Sequence, residues 1–271
     1  MTDPRVTPAN GRVAAMELAG KVQADTYVVG TPKMVCRAVA DLRRAPDGAR
    51  DRQLLLGAVV TVYEDREGWS FVQAANDYVG YVRSDDLTDV LEPTDLVGTA
   101  ATHAYSADDF RSEPLRALPF GARVTILDRR RDFVETNVGF IPKKHLRAVD
   151  RPFQDPVTVA QLHFGTPYLW GGDSTRGIDC SGLVSASLTA CGISCPGDSD
   201  LQCAVIGQEV TGDLERGDII FWKGHVGMMV DAETMLHASA TPMATVYEPL
   251  SKVIARVEAQ GHGGPLARRR L

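Results

Sequence analysis

The chain has 271 residues, of which 44% are hydrophobic and 24% charged, a length that suits about two domains and a composition that excludes disordered or fibrous chain. With 29 Lys plus Arg against 35 Asp plus Glu, the formal net charge is -6, which speaks against a nucleic-acid partner because non-specific binding needs a dense cationic face. The basic runs Arg129-Arg130-Arg131 and Arg268-Arg269-Arg270 are too short to change that, and the first reads as a solvated turn.

The longest apolar run, Leu54 to Tyr63, falls short of the roughly 18 residues that cross a bilayer and reads as a buried strand, so no membrane partner is expected. Asp3 and Pro4 stand where a signal peptide would place basic residues and then an apolar core, so a cytoplasmic location is the expectation. The five cysteines are Cys36, Cys180, Cys191, Cys195 and Cys203. An odd count in a chain this long requires no disulfide framework. The spacing of Cys191, Cys195 and Cys203 lacks a CxxC pair or an intervening His, so these read as small buried residues and no metal is expected.

In chain order, residues 1-30 lack periodicity and read as an arm or a peripheral helix. A weak repeat follows. Gly57-Ala-Val-Val-Thr-Val62 recurs as Gly121-Ala-Arg-Val-Thr-Ile126. Each copy continues with a charged turn (Glu64 to Glu67, Asp128 to Asp132) and then a strand led by an aromatic residue, Trp69 or Phe133. An aliphatic-Gly-aromatic-aliphatic step comes next, Val79-Gly80-Tyr81-Val82 or Val138-Gly139-Phe140-Ile141, and each copy closes on Leu87 or Leu146. Short alternating strands with charged turns predict small antiparallel barrels, here two all-β domains at 31-92 and 93-149. They resemble bacterial SH3-like domains, which hold peptide or wall material near a catalytic unit; a spacer with no ligand is the alternative, and it stays open for the second copy.

Residues 150-271 form an α+β segment. Pro156 to Leu162 starts a helix, Gly165 to Gly172 is loop, and residues 218-249 alternate as strands. Cys180, Leu183, Val184, Leu188 and Cys191 have the spacing of one buried helix face, with Asp179 as N-cap and Gly192 as stop. A thiol in the first turn feels the positive end of the helix dipole, which favours thiolate; as a lone feature, Cys180 reads first as the start of the apolar stripe. Two histidines alter the balance. His225 opens the second strand of a hairpin turning at Lys223-Gly224, and His237 lies on the next strand after a turn at Asp231 to Thr234. An odd connection puts both rings on one face of the sheet and an even one separates them. A helix-start cysteine, a strand histidine and an orienting polar residue make a papain-type arrangement.

The motifs Y-L-W-G-G (168-172), D-C-S-G-L-V (179-184), G-D-I-I-F-W (217-222), H-V-G-M (225-228) and L-H-A (236-238) resemble the NlpC-type cysteine peptidases of bacterial cell-wall peptides. With SH3-like repeats ahead, the chain is similar to the subset that cleaves γ-D-glutamyl bonds to a diamino acid, diaminopimelate or lysine. The resemblance implies a papain-like domain preceded by two SH3-like barrels, with Cys180 as nucleophile, His225 as general base and His237 as orienting residue. It implies Tyr168 as a neighbour of the thiol and the oxyanion, Asp179 and Ser181 flanking the nucleophile, and Asp198 and Ser199 in a substrate loop. That loop has Gly197 where a basic residue is usual, which removes one carboxylate partner. Asp51, ahead of Gln53, and Tyr78 match residues that hold the free amine of an N-terminal L-Ala; a surface aspartate and an ordinary barrel tyrosine are the alternative. The expectation is a hydrolase trimming recycled peptidoglycan peptides, with no cofactor. An acyltransferase or amidase on another small molecule, or a non-catalytic wall-binding module, are the competing readings.

Overall fold

The computed structural model describes residues 3-271, which divide into two compact units, one up to Val149 and one from Asp150. The first unit is all β apart from single 3-10 turns. Its larger sheet holds, in spatial order, strands Arg50–Leu55, Val39–Arg43, Val79–Arg83, Trp69–Ala74, Val59–Arg66, Thr31–Val35 and Leu87–Thr88. The repeat reappears in the topology. Strands Pro114–Pro119, Ala101–Tyr105, Gly139–Pro142, Phe133–Thr136 and Ile126–Arg129 follow the same order, and Arg123–Val124, Asp95–Val97 and Leu146–Ala148 continue it in a separate sheet. The difference is a break at Thr125, which splits the counterpart of Val59–Arg66 in two.

The aliphatic-Gly-aromatic step has a shared steric cause. A Cβ on Gly80 would stand 2.7 Å from the Arg43 carbonyl oxygen, and one on Gly139 would stand 2.7 Å from that of Tyr105. In both copies the neighbouring strand crosses at this point, pairing Arg43 with Tyr81 and Tyr105 with Phe140. The two copies share a core in which Leu56 packs with Val97, Leu118, Ala122, Val124 and Ile141.

Two expectations for this unit are corrected. The apolar run Leu54 to Tyr63 is two strands, because the chain turns at Gly57 with φ +78° between them. The first charged turn is narrower than expected, since Glu64 and Asp65 continue the strand opposite Phe71 and Ser70. The first 30 residues hold no α-helix among those described: Val13–Ala15 and Thr26–Val28 form a parallel pair. This segment is stitched to the larger sheet by Arg12 to Glu64 and by Asn10 to Glu64 and Tyr81.

The second unit is α+β. Its six-stranded sheet runs Gln208–Glu209, Ala267–Arg270, Ile219–Trp222, His225–Met229, Thr234–Ser239 and Ala244–Pro249. Four helices accompany it: α1 Pro156–Gln161, α2 Cys180–Ala190, α3 Ser199–Val205 and α4 Leu250–Ala259. Its central strands are apolar on both faces because each face is covered. Ile219, Phe221, Val226, Met228, Leu236 and Ala238 pack with Leu183, Val184 and Leu188 of α2, while Ile220, Trp222, Met229 and Met235 pack with Leu250, Val253 and Val257 of α4. The basic run at 268-270 is a sheet strand, with Arg270 bound to the buried carboxylate of Asp218 at 2.8 Å. No helix of the described residues is long and apolar enough to cross a membrane.

Candidate active site

Helix α2 begins at Cys180 because Asp179 caps it. The Asp179 carboxylate accepts from the Gly182 amide at 2.7 Å and the Ser181 hydroxyl at 3.0 Å through Oδ1, and from the Gly171 amide at 2.9 Å through Oδ2. Asp179 and Ser181 thus fix the first turn of α2 and fasten the Y-L-W-G-G loop to it. Cys180 is 7% exposed and stands at the positive end of the helix dipole, where a thiolate is favoured. Tyr168 packs against the core cluster that includes Cys180, and its amide donates to the Met243 carbonyl at 2.9 Å.

The histidines share one face of the sheet. Met229 pairs with Met235, so the connection between paired positions is 230-234, an odd length. Asp231 shapes it by accepting from the Glu233 and Thr234 amides at 2.9 and 2.7 Å. His225 Nε2 lies 2.8 Å from His237 Nδ1, with the rings edge to face. His225 is the first residue of its strand and stacks near Trp222, whereas His237 is completely buried.

Two residues that the sequence did not single out complete this array. His237 Nε2 is 3.2 Å from Glu248 Oε2, and both oxygens of Glu248 are held by Arg256 of α4, Oε2 at 2.8 Å from Nη2. The sequence signal for Glu248 is its place in the alternating segment 218-249; the structure sets it on the strand Ala244–Pro249, which pairs with that of His237.

Arg256 holds the Glu248 carboxyl below the usual carboxylate range. Burial lowers His237, against the opposing pull of Glu248. His225 is pushed down to about 3, by burial first and by the neighbouring ring second. Both rings are therefore neutral at pH 7, the state a proton acceptor requires. His163, buried beside the Val159 carbonyl, is likewise pushed down by burial to about 4.

These shifts carry a sign for stability. Below the ordinary histidine value of 6.5 the unfolded chain binds protons that the folded rings refuse, so stability is complete above that value and is lost as acid is added. The depressed Glu248 acts in the same direction. The melting temperature is expected to fall between about pH 7.5 and about pH 5; a constant or rising value would contradict neutral burial of these rings.

Asp198 and Ser199 open α3, and Gly197 before them is buried. Gln202 of the same helix, also missed in the sequence, is fully buried and donates to the Ser181 and Pro196 carbonyls, each at 2.9 Å. It ties the Asp198 loop to the first turn of α2. In the first unit Asp51 is engaged by Arg44, with Nε at 2.9 Å, and Tyr78 has no exposed surface. Among the described residues no group of three or more His, Cys, Asp or Glu is placed to hold a metal ion.

Residues 42–87 match the bacterial dipeptidyl-peptidase Sh3 domain and residues 165–257 match the NlpC/P60 family. The chain is 24% identical over 235 residues to Dipeptidyl-peptidase 6 of Lysinibacillus sphaericus, covering 76% of this chain and 87% of that one. It is 33% identical over 113 residues to a Gamma-D-glutamyl-L-lysine dipeptidyl-peptidase of Bacillus subtilis, a match spanning 39% of this chain and 38% of the relative. The crystal structure of an NlpC/P60 family protein from Bacillus cereus shares the fold with a TM-score of 0.75 at 20% identity, over 89% of this chain and 99% of that one.

Proposed function

From a chain that is a cysteine-type peptidase, with an NlpC/P60 domain behind a bacterial SH3 domain, we propose that it hydrolyses the γ-D-glutamyl to diamino acid bond of short peptidoglycan peptides with a free N-terminal L-Ala. Its setting in this reading is cytoplasmic recycling of cell-wall peptides. The observation that carries the reading is the His225–His237 pair, on a sheet against which the helix opening with Cys180 is packed.

In the proposed mechanism His225 takes the Cys180 proton and the sulfur attacks the γ-carbonyl carbon, forming a tetrahedral oxyanion beside Tyr168. Collapse breaks the C–N bond, and the His225 imidazolium gives its proton to the leaving amine. A water, deprotonated by the same ring, then cleaves the thioester and restores the thiol. His237 orients the His225 ring. Asp179 and Ser181 hold the nucleophile's turn, and Asp198 and Ser199 contact the substrate. The relatives named for dipeptidyl-peptidase activity support this substrate class.

Asp51 and Tyr78 enter this proposal as contacts for the substrate's ammonium, which requires binding to uncover the Tyr78 hydroxyl; Arg44 shares the Asp51 carboxylate. A hydrogen bond to a charged group contributes about 1.5–3 kcal/mol, so N-acetylation of L-Ala-γ-D-Glu-diaminopimelate is expected to lower kcat/KM at least about tenfold. An unchanged kcat/KM would assign an open-ended endopeptidase. Aminolysis products accumulating with an added amine would favour an acyltransferase.

A further inference from the structure

The proton positions in the histidine pair follow from what stands behind it. Glu248 has both carboxylate oxygens engaged by Arg256, and Oε2 also faces His237 Nε2 at 3.2 Å. An ionised carboxylate only accepts hydrogen bonds, so His237 must carry its proton on Nε2. A neutral imidazole has one N–H, so His237 Nδ1 is then a bare acceptor. The ring nitrogen 2.8 Å away, His225 Nε2, must supply the proton of that contact. His225 is left with a bare Nδ1, the nitrogen able to accept a proton from a thiol.

We infer that Glu248, braced by Arg256, is a positioning residue that sets the tautomer of His237 and, through it, the tautomer of His225, making Nδ1 of His225 the basic nitrogen. The inference rests on the proposed roles of Cys180 and His225 and adds two residues and a direction to them. The opposite arrangement, with His237 protonated on Nδ1, would make His225 Nε2 the acceptor. Nδ1 of His225 would then carry the proton, leaving no base for the thiol. The groups facing the pair are Trp222 on the strand paired with that of His225, Glu248 on the strand paired with that of His237, and Arg256 on α4. Arg256 also keeps Glu248 ionised, so the carboxylate accepts the His237 proton as a hydrogen bond without removing it.

Glu248→Gln tests the direction with little change of shape. With its amide oxygen on Arg256 Nη1, in the place of Oε1, the new side chain sets its NH2 group in the place of Oε2, facing His237 Nε2. That nitrogen must then accept, and the relay inverts. The readouts are the ring-nitrogen NMR signals of the full-length protein, uniformly labelled with nitrogen-15, near neutral pH, together with kcat and the rate of Cys180 alkylation by iodoacetamide.

In the wild type, His237 and His225 are both expected to be protonated on Nε2. In Glu248→Gln, His237 is expected to move its proton to Nδ1. Its kcat should fall about 100-fold or more, the scale of losing a positioned base, with alkylation slowed in parallel and KM little changed. Glu248→Asp should keep the wild-type tautomers and recover part of kcat. Wild-type rings protonated on Nδ1, or a Glu248→Gln variant with unaltered tautomers and kcat, would overturn the inference. The wild-type spectrum decides the point even if the variants fail to fold. It is also independent of substrate: inactivity on muropeptides with the expected tautomers would fault the proposed function alone, and activity with the opposite tautomers would fault only this inference.

Discussion

Cys180→Ala is expected to lower kcat on L-Ala-γ-D-Glu-diaminopimelate by about 10⁵-fold or more, the scale seen when a nucleophile that acts as part of a unit is removed. The side chain lost is small and lies at the edge of a core held by Leu183, Val184 and Leu188, so the fold should survive. Alanine also suits a helix interior better than cysteine. Loss of activity with an unchanged melting temperature is therefore the expected combination. Iodoacetamide labelling at neutral pH should lose its fastest-reacting site in the same variant, although Cys36, Cys191 and Cys203 present more surface than Cys180. Appreciable turnover by Cys180→Ala would remove the nucleophile assignment.

His225→Ala is the second large effect, expected to cost about 10²–10⁴-fold in kcat by loss of the base. It also strips the His237 Nδ1 of its partner 2.8 Å away inside a fully buried environment. A buried polar group left unsatisfied costs about 1–3 kcal/mol, so this variant should also unfold at a lower denaturant concentration. The paired losses separate it from Cys180→Ala, whose effect is confined to turnover. A His225→Ala protein alkylated at Cys180 as fast as the wild type at neutral pH would show that another group activates the thiol.

The parts of this site legible in the sequence are those set by local rules. Asp179, the stripe from Cys180 to Leu188 and Gly192 mark one helix with its cap and stop, and the helix runs Cys180–Ala190 as that spacing requires. The Lys223-Gly224 turn likewise fixes the hairpin that pairs Trp222 with His225. Whether the two histidines share a face depended on the parity of one connection, which the sequence left open and the pairing of Met229 with Met235 decides.

What was not legible depends on partners distant in the chain. Glu248 and Arg256 look like ordinary charges of a strand and an amphipathic helix until the register places them behind His237. Gln202 reads as a loop-side polar residue until its amide meets the Ser181 carbonyl, 21 positions away in sequence. Arg268 to Arg270 read in the sequence only as a short basic run because their place, between Gln208–Glu209 and Ile219–Trp222, is a long-range property. Leu54 to Tyr63 misleads for the reverse reason: hydrophobicity hides the turn at Gly57, which a positive φ makes possible.

Mass analysis of the products from L-Ala-γ-D-Glu-diaminopimelate, with wild-type protein and Cys180→Ala side by side, bears most directly on the account. The expected result is free diaminopimelate and the dipeptide L-Ala-γ-D-Glu from the wild type, and intact tripeptide from the variant. Release of L-Ala, an uncut tripeptide with the wild type, or equal cleavage by both proteins would contradict it.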